Sequence, residues 1–202
     1  MPFPRVILFD MDGTLTEERL QWDDLRESLG VPEGRPILES LLAMSAPDRA
    51  KAEEILHRHE YEAASRSVLN PGCVELLHWL DAHGIGRALI TRNTRRSVQT
   101  VFDRCGLHFD VSITREDGEF KPDPAPLRHA CQKLGVATDD AWMIGDWKYD
   151  IEAANNANVH GVWLSFGRER TFDAVPDRVV HDLVELFDVL KSLKGTGLGT
   201  AV

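Results

Sequence analysis

Three cysteines, no long apolar run and a shortage of basic charge remove several classes of protein before any motif is read. Cys73, Cys105 and Cys131 are widely spaced, and an odd number leaves a disulfide framework incomplete. Each falls in an apolar helical pattern, which predicts buried thiols in a reducing compartment. Metal ligation is not expected of them. No apolar stretch approaches the ~18 residues a membrane helix requires. Met1-Pro2-Phe3-Pro4 carries none of the features of a signal peptide. Lys and Arg number 23 against 33 Asp and Glu, a formal charge of −10, so the basic footprint of a nucleic-acid binder is missing. The expectation is a soluble, cytoplasmic protein with no nucleic-acid or membrane partner. An acidic chain also repels phosphate at long range, so any anion site must be built locally from a metal, a lysine and helix N-termini.

What is present is an ordinary globular balance, 43% hydrophobic and 28% charged, at a length suited to one core domain with a sizeable insertion, or to two small domains. The informative stretch is Arg5-Val6-Ile7-Leu8-Phe9 running into Asp10-Met11-Asp12-Gly13-Thr14. The first five residues read as a buried strand. Just beyond the carboxyl end of such a strand is where open α/β sheets bind ligands. Alternation lets Asp10 and Asp12 aim at one locus while Met11 points away, and Gly13 permits a sharp turn after them. Two carboxylates this close repel unless a cation lies between them or one proton is shared. Magnesium, commonly held by one or two carboxylates plus substrate phosphate, suits the pair. One Asp then serves as nucleophile toward phosphorus and the other as proton donor. The plain alternative is a turn with two solvated acids.

Downstream, the pattern over 16–69 is helical, with helices expected at 21–29, 37–44 and 47–68 and no convincing strand. The last carries Lys51, Glu53, Glu54, Arg58, Glu60, Glu62 and Arg66, with Ala, Ile55 and Leu56 inward. Asn70-Pro71-Gly72 returns the chain to the core. A β-α rhythm follows: strands at 86–91, 109–113, 141–145, 160–164 and 178–180, and helices at 74–82, 95–105, 124–134, 149–157 and 183–193. That alternation predicts a parallel sheet covered on both faces. The Gly-rich tail 195–202 is expected to fray.

In such a sheet the carboxyl ends of all strands open onto one edge, and three further ends carry chemistry. Thr91-Arg92-Asn93 could cradle phosphate at a helix start, or Asn93 or Thr94 could simply cap that helix. Lys121 in Lys121-Pro122-Asp123-Pro124 could act as a point cation beside the nucleophile, or be a solvated surface charge. In Gly145-Asp146-Trp147-Lys148-Tyr149-Asp150, Asp146 could complete a magnesium site, with Asp150 buttressing it or pairing with Lys121. Asp146 could otherwise be a helix cap. Four strand ends, in order, each offer a group that phosphoryl transfer through an aspartate needs.

On these residues the chain resembles the haloacid dehalogenase superfamily, in its phosphoglycolate phosphatase-like branch. Asp10-Met11-Asp12-Gly13-Thr14 matches the first motif, Thr91 the second, Lys121 the third, and Asp146 with Asp150 the fourth. The resemblance covers about 6–167. It implies an α/β fold, a Rossmann-like parallel sheet with helices on both faces, plus a small all-helical cap inserted after the first strand. The core domain would be 1–15 and 71–202, and the cap, 16–70, would close over small substrates. By the same resemblance Asp10 is the nucleophile and Asp12 the general acid/base. Mg2+ would be held by the Asp10 carboxylate, the Asp12 backbone carbonyl and Asp146. Thr91, Arg92, Asn93 and Lys121 would bind phosphate. The implied activity is a magnesium-dependent phosphatase hydrolysing a small phosphorylated metabolite through an aspartyl phosphate. Arg92-Asn93 replaces the Asn-Lys pair common after the second motif in phosphoglycolate phosphatases. Arg19, Arg26 and Arg35 are candidates for gripping a substrate carboxylate, or are plain helix and loop charges. The alternatives are a phosphosugar mutase that reuses the aspartyl phosphate, and a non-catalytic binding protein, which would gain nothing from a nucleophile beside an acid. Substrate identity and oligomeric state are not encoded in these motifs.

Overall fold

The computed structural model describes residues 1–197. Five short apolar runs and one brief terminal strand align as a single parallel sheet: β1 (Val6–Phe9), β2 (Gly86–Ile90), β3 (Val111–Ile113), β4 (Ala141–Gly145), β5 (His160–Leu164) and β6 (Arg178–Val180). Their order is β3-β2-β1-β4-β5-β6, which puts β1 at the centre between β2 and β4. Every pairing is parallel. A strand flanked on both sides and covered on both faces has to be apolar throughout, and all four residues of β1 are buried.

Side chains alternate across the sheet. Val6 and Leu8, with Ala88, Ile90, Val111, Ile113, Ala141 and Met143, pack against Leu127, Ala130 and Cys131 of α6 (Ala125–Leu134) and Ala153, Ala154 and Ala157 of α7 (Lys148–Ala157). Ile7 and Phe9 therefore face the other way. There α4 (Cys73–Ala82) contacts β2, α8 (Leu183–Gly197) contacts β6, and the two helices touch. Leu183, Leu186 and Leu190 are buried on α8 at helical spacing. The fold is the expected α/β sheet with helices on both faces.

The chain divides into two compact units. One holds Met1–Glu17, Val68–Arg92 and the described residues from His108 on, and contains the sheet; the other holds Glu18–Ser67 and Asn93–Leu107. The second unit is helical: α1 (Trp22–Leu29), α2 (Ile37–Leu42), α3 (Ala46–Ala64) and α5 (Arg95–Cys105). Leu25, Leu29, Val31, Ile37, Leu41, Ala52 and Leu56 form its core. Within this unit α5 packs on α3, and Arg104 Nε donates to the Ser67 carbonyl at 2.8 Å. Glu60, expected among the charges of α3's outer face, is buried, because it shares the inward stripe of Ala52 and Leu56.

Three details depart from expectation. The strand read over 109–113 begins only at Val111, where pairing with Ala88 starts; Phe109 instead packs edge-on against Phe9, ring centroids 6.3 Å apart. Cys73 and Cys131 are buried, but Cys105, the last residue of α5, is half-exposed; none of the three is in a disulfide. The helix expected to stop near 193 runs to Gly197, and the rest of the expected frayed tail, 198–202, lies outside the described residues.

Candidate active site

After Phe9 the sheet's central strand stops and its next amide, Asp10 N, donates to Ile144 O of β4 at 2.9 Å. That bond sets Asp10 at the carboxyl edge beside Gly145 and Asp146. The chain then turns tightly, with the amides of Thr14, Leu15 and Thr16 all directed at Met11 O at 2.9–3.3 Å. Gly13 makes the turn at φ +74°, and a Cβ there would meet Asp146 Oδ2 at 2.6 Å. Glycine is thus required twice over, by the backbone and by the acid packed against it. Asn70 Nδ2 donates to Thr14 O and Thr16 O at 2.8 and 3.0 Å, fastening the returning chain to this loop.

Three carboxylates converge. Asp10, Asp146 and Asp150 each bring an oxygen within 4.8 Å of the others. Lys121 Nζ lies 2.7 Å from Asp10 Oδ1 and 2.6 Å from Asp150 Oδ1, its side chain almost wholly buried. Burial disfavours the ammonium, but the two carboxylates outweigh it and hold Lys121 above the ordinary lysine range. The same burial, with Asp10 and Asp150 nearby, pushes Asp146 up to about 7, against a smaller opposing pull from Arg168. Asp150 is raised to about 6, burial outweighing the Lys121 ammonium.

The capping alternative for Asp146 does not hold. Trp147 is the N-cap of α7, and Asp150 Oδ2 accepts its amide at 3.1 Å. Asp150 therefore ties off the helix start and fixes Lys121 with its two oxygens. A methyl on Gly145 would fall on the Asp150 side chain, so this glycine is needed for the acid to lie where it does.

Asp146 has a partner that sequence reasoning missed. Arg168 Nη2 donates to its Oδ2 at 3.0 Å and its carbonyl at 3.1 Å, while Arg168 Nε donates to Ser165 O at 3.0 Å. Trp163 Nε1 adds a bond to the Asp146 carbonyl at 3.0 Å. Arg168 follows β5 by way of Phe166 and Gly167, both at positive φ. No motif marks it, because only that backward turn brings it to β4.

The other expected residues fall as follows. Asp12 is half-buried, its Oδ1 3.5 Å from Thr16 Oγ1 and outside the carboxylate trio. Thr91 is buried at the end of β2, with its amide on Ile113 O at 3.0 Å. Arg92 lies over the rings of Tyr149 and Phe120, at 4.1 and 4.9 Å. Asn93 opens the segment grouped with the helical unit, and Thr94, not Asn93, caps α5. Arg26 Nη1 donates to Pro32 O and Arg35 O, which makes it a brace for its own loop.

Clustered oxygen donors with an excess of carboxylates over the two cations that touch them suit a hard divalent ion. Such a cluster beside a buried lysine, at the carboxyl edge of a parallel sheet, lies where α/β sheets bind ligands. A family model for haloacid dehalogenase-like hydrolases matches residues 4–158. The phosphoglycolate phosphatase of Nitrosococcus oceani is 31% identical over 218 residues, spanning 93% of this chain and 96% of that protein. A haloacid dehalogenase-like hydrolase domain-containing protein of Arabidopsis thaliana is 32% identical over 165 residues, 76% of this chain and 67% of that protein. The crystal structure of a hydrolase from Pseudomonas syringae matches with a TM-score of 0.79 at 24% identity, covering 93% of this chain and 98% of that one. The chain belongs to the haloacid dehalogenase-like hydrolases, in their phosphoglycolate phosphatase-like branch, and is an enzyme of the phosphatase type. Among the described residues, no helix is long and apolar enough to cross a membrane.

Proposed function

We propose that this enzyme hydrolyses a small phosphorylated metabolite in the cytoplasm through an aspartyl phosphate on Asp10. The observation carrying the reading is the Asp10 carboxylate, 2.7 Å from Lys121 and grouped with Asp146 and Asp150 at the sheet's carboxyl edge. Asp10 attacks phosphorus in line as the bond to the leaving oxygen breaks, and Asp12 supplies that oxygen's proton. Asp12 then takes a proton from water, which attacks the aspartyl phosphate and frees Asp10. Lys121 offsets negative charge in both steps, and Asp150 keeps it charged and aimed. Thr91, Arg92 and Asn93 hold the phosphoryl oxygens.

The acids fit Mg2+: the Asp10 carboxylate, the Asp12 carbonyl and Asp146 would hold it. Bound there, it supplies Lewis-acid polarisation of the phosphoryl group and screens the acids from one another. Residues 16–70 are read as the cap that selects substrate. Phosphoglycolate is the first substrate to try, because relatives of the named phosphatase type align over nearly the whole chain.

The test is a panel of phosphorylated metabolites assayed for free phosphate, with magnesium and with chelator. Magnesium-dependent release is expected, with none from Asp10→Asn. Turnover by that variant would overturn the nucleophile. Isomerised phosphosugar in place of phosphate would mark a mutase, and silence across the panel a binding protein.

A further inference from the structure

We propose that Phe120 and Tyr149 form an aromatic clamp that positions Arg92 for the phosphoryl group of the substrate. The proposal rests on the phosphatase reading above and assigns positioning roles to two side chains that its chemistry does not use. The Arg92 guanidinium carbon stands 4.1 Å from the Tyr149 ring centroid and 4.9 Å from that of Phe120, both within cation–π range. Arg92 is also held by its backbone, its carbonyl accepting from Arg115 Nη1 at 3.1 Å.

The placement of the two rings is the reason to see a device in this stack. Phe120 directly precedes Lys121, and Tyr149 directly precedes Asp150. The 2.6 Å ion pair between Lys121 and Asp150 therefore locks together the two segments that carry the rings. Arg92 in turn directly follows Thr91 at the end of β2, the strand paired with β1 and its Asp10. One buried ion pair thus fixes both the cation beside the nucleophile and the walls around a second cation one strand over. Neither ring is part of the core; both are half-exposed, so core packing does not explain them. An arginine held in one rotamer by stacked rings gives up little freedom when an oxyanion arrives. Its planar array of donors matches phosphoryl oxygens better than a lysine would.

The experiment measures inhibition by inorganic phosphate, and KM and kcat on an aryl phosphate lacking any carboxylate, in the magnesium-loaded enzyme. Tyr149→Leu should raise the phosphate inhibition constant and KM about tenfold while kcat moves less than about threefold. Phe120→Leu should act in the same direction, and serves as the second probe if Tyr149→Leu folds poorly. Tyr149→Phe keeps the ring and should return the inhibition constant to within about threefold of wild type. Because the rings act through Arg92, adding Tyr149→Leu to Arg92→Ala should cost nothing beyond Arg92→Ala alone. Unchanged phosphate inhibition in the leucine variants overturns the clamp, as does a fully additive double variant or a Tyr149→Phe as impaired as Tyr149→Leu. These outcomes are separable from failure of the phosphatase reading, in which the wild-type enzyme itself releases no phosphate.

Discussion

Lys121 and Asp150 lie 29 positions apart in the chain, yet the lysine Nζ sits 2.6 Å from Asp150 Oδ1 with both side chains about 2% exposed. A buried pair is stable only when its remaining valences are met. Here each partner has a second bond: Lys121 also bonds Asp10, and Asp150 accepts the Trp147 amide.

Breaking that arrangement should cost both fold and chemistry. Lys121→Met leaves Asp10 and Asp150 facing each other without their shared cation. We expect a loss of ~3–5 kcal/mol, visible as a lower melting temperature in chelator. Turnover should fall at least ~100-fold, because charge on the phosphoryl group loses its fixed counterion. Thermal scans and steady-state kinetics check the two effects separately; near-normal kcat would show that Lys121 is structural only.

The two glycines that admit the acids should be intolerant in a way that a glycine with open space around it is not. Gly13→Ala must strain a φ of +74° and displace Asp146, and Gly145→Ala must displace Asp150. Each should weaken magnesium binding measured by calorimetry at least ~10-fold, with a stability loss of ~1–3 kcal/mol. Gly135→Ala is the control: its φ is +67°, but nothing stands within 4 Å of the added methyl. It should lose only ~1 kcal/mol and bind magnesium normally. Equal metal affinity in all three variants would refute the crowding argument.

The acid cluster makes a signed prediction about pH. Asp146 titrates at about 7 in the folded protein against an ordinary 3.8, so the folded state holds a proton that the unfolded chain gives up. Its contribution is complete below pH ~4 and is lost as pH rises through 7, by at most ~4 kcal/mol. Asp150, raised to about 6, acts in the same direction. Chelated protein should therefore lose melting temperature between pH 5 and 8, and saturating magnesium should flatten or reverse the trend. A chelated protein that gains stability over that interval would refute it.

Arg168 holds Asp146 down against the forces that raise it. Arg168→Met should lift the Asp146 carboxyl further, so magnesium binding at pH 7 weakens and its pH midpoint moves upward. About tenfold is expected for one lost charge-assisted bond. Titrations by calorimetry across pH decide it. Tighter binding at every pH would mean that Arg168 competes with the cation for Asp146 Oδ2.

The strands and most helices were legible because each has its own apolar period: 86–90, 141–145 and 160–164 are short, mostly apolar runs between turn signals, and Leu183, Leu186 and Leu190 recur at helical spacing. Asp10, Lys121, Asp146 and Asp150 were legible because a parallel sheet delivers every strand end to one edge. Less was visible at 93–107. Its helix was expected from its pattern and its Gly106 stop, but its grouping with the helical unit depends on packing against α3, which no local period encodes.

Local order and the chemical types at four strand ends were thus set by the amino-acid sequence itself, since backbone geometry and hydrophobic period act over a few residues. Which arginine braces Asp146 and which rings hold Arg92 were decided by tertiary structure alone. Those choices depend on angstrom-scale approach between segments tens of positions apart, where a backward turn at Phe166 or a missing Cβ at Gly13 counts for more than the identity of neighbours in the chain.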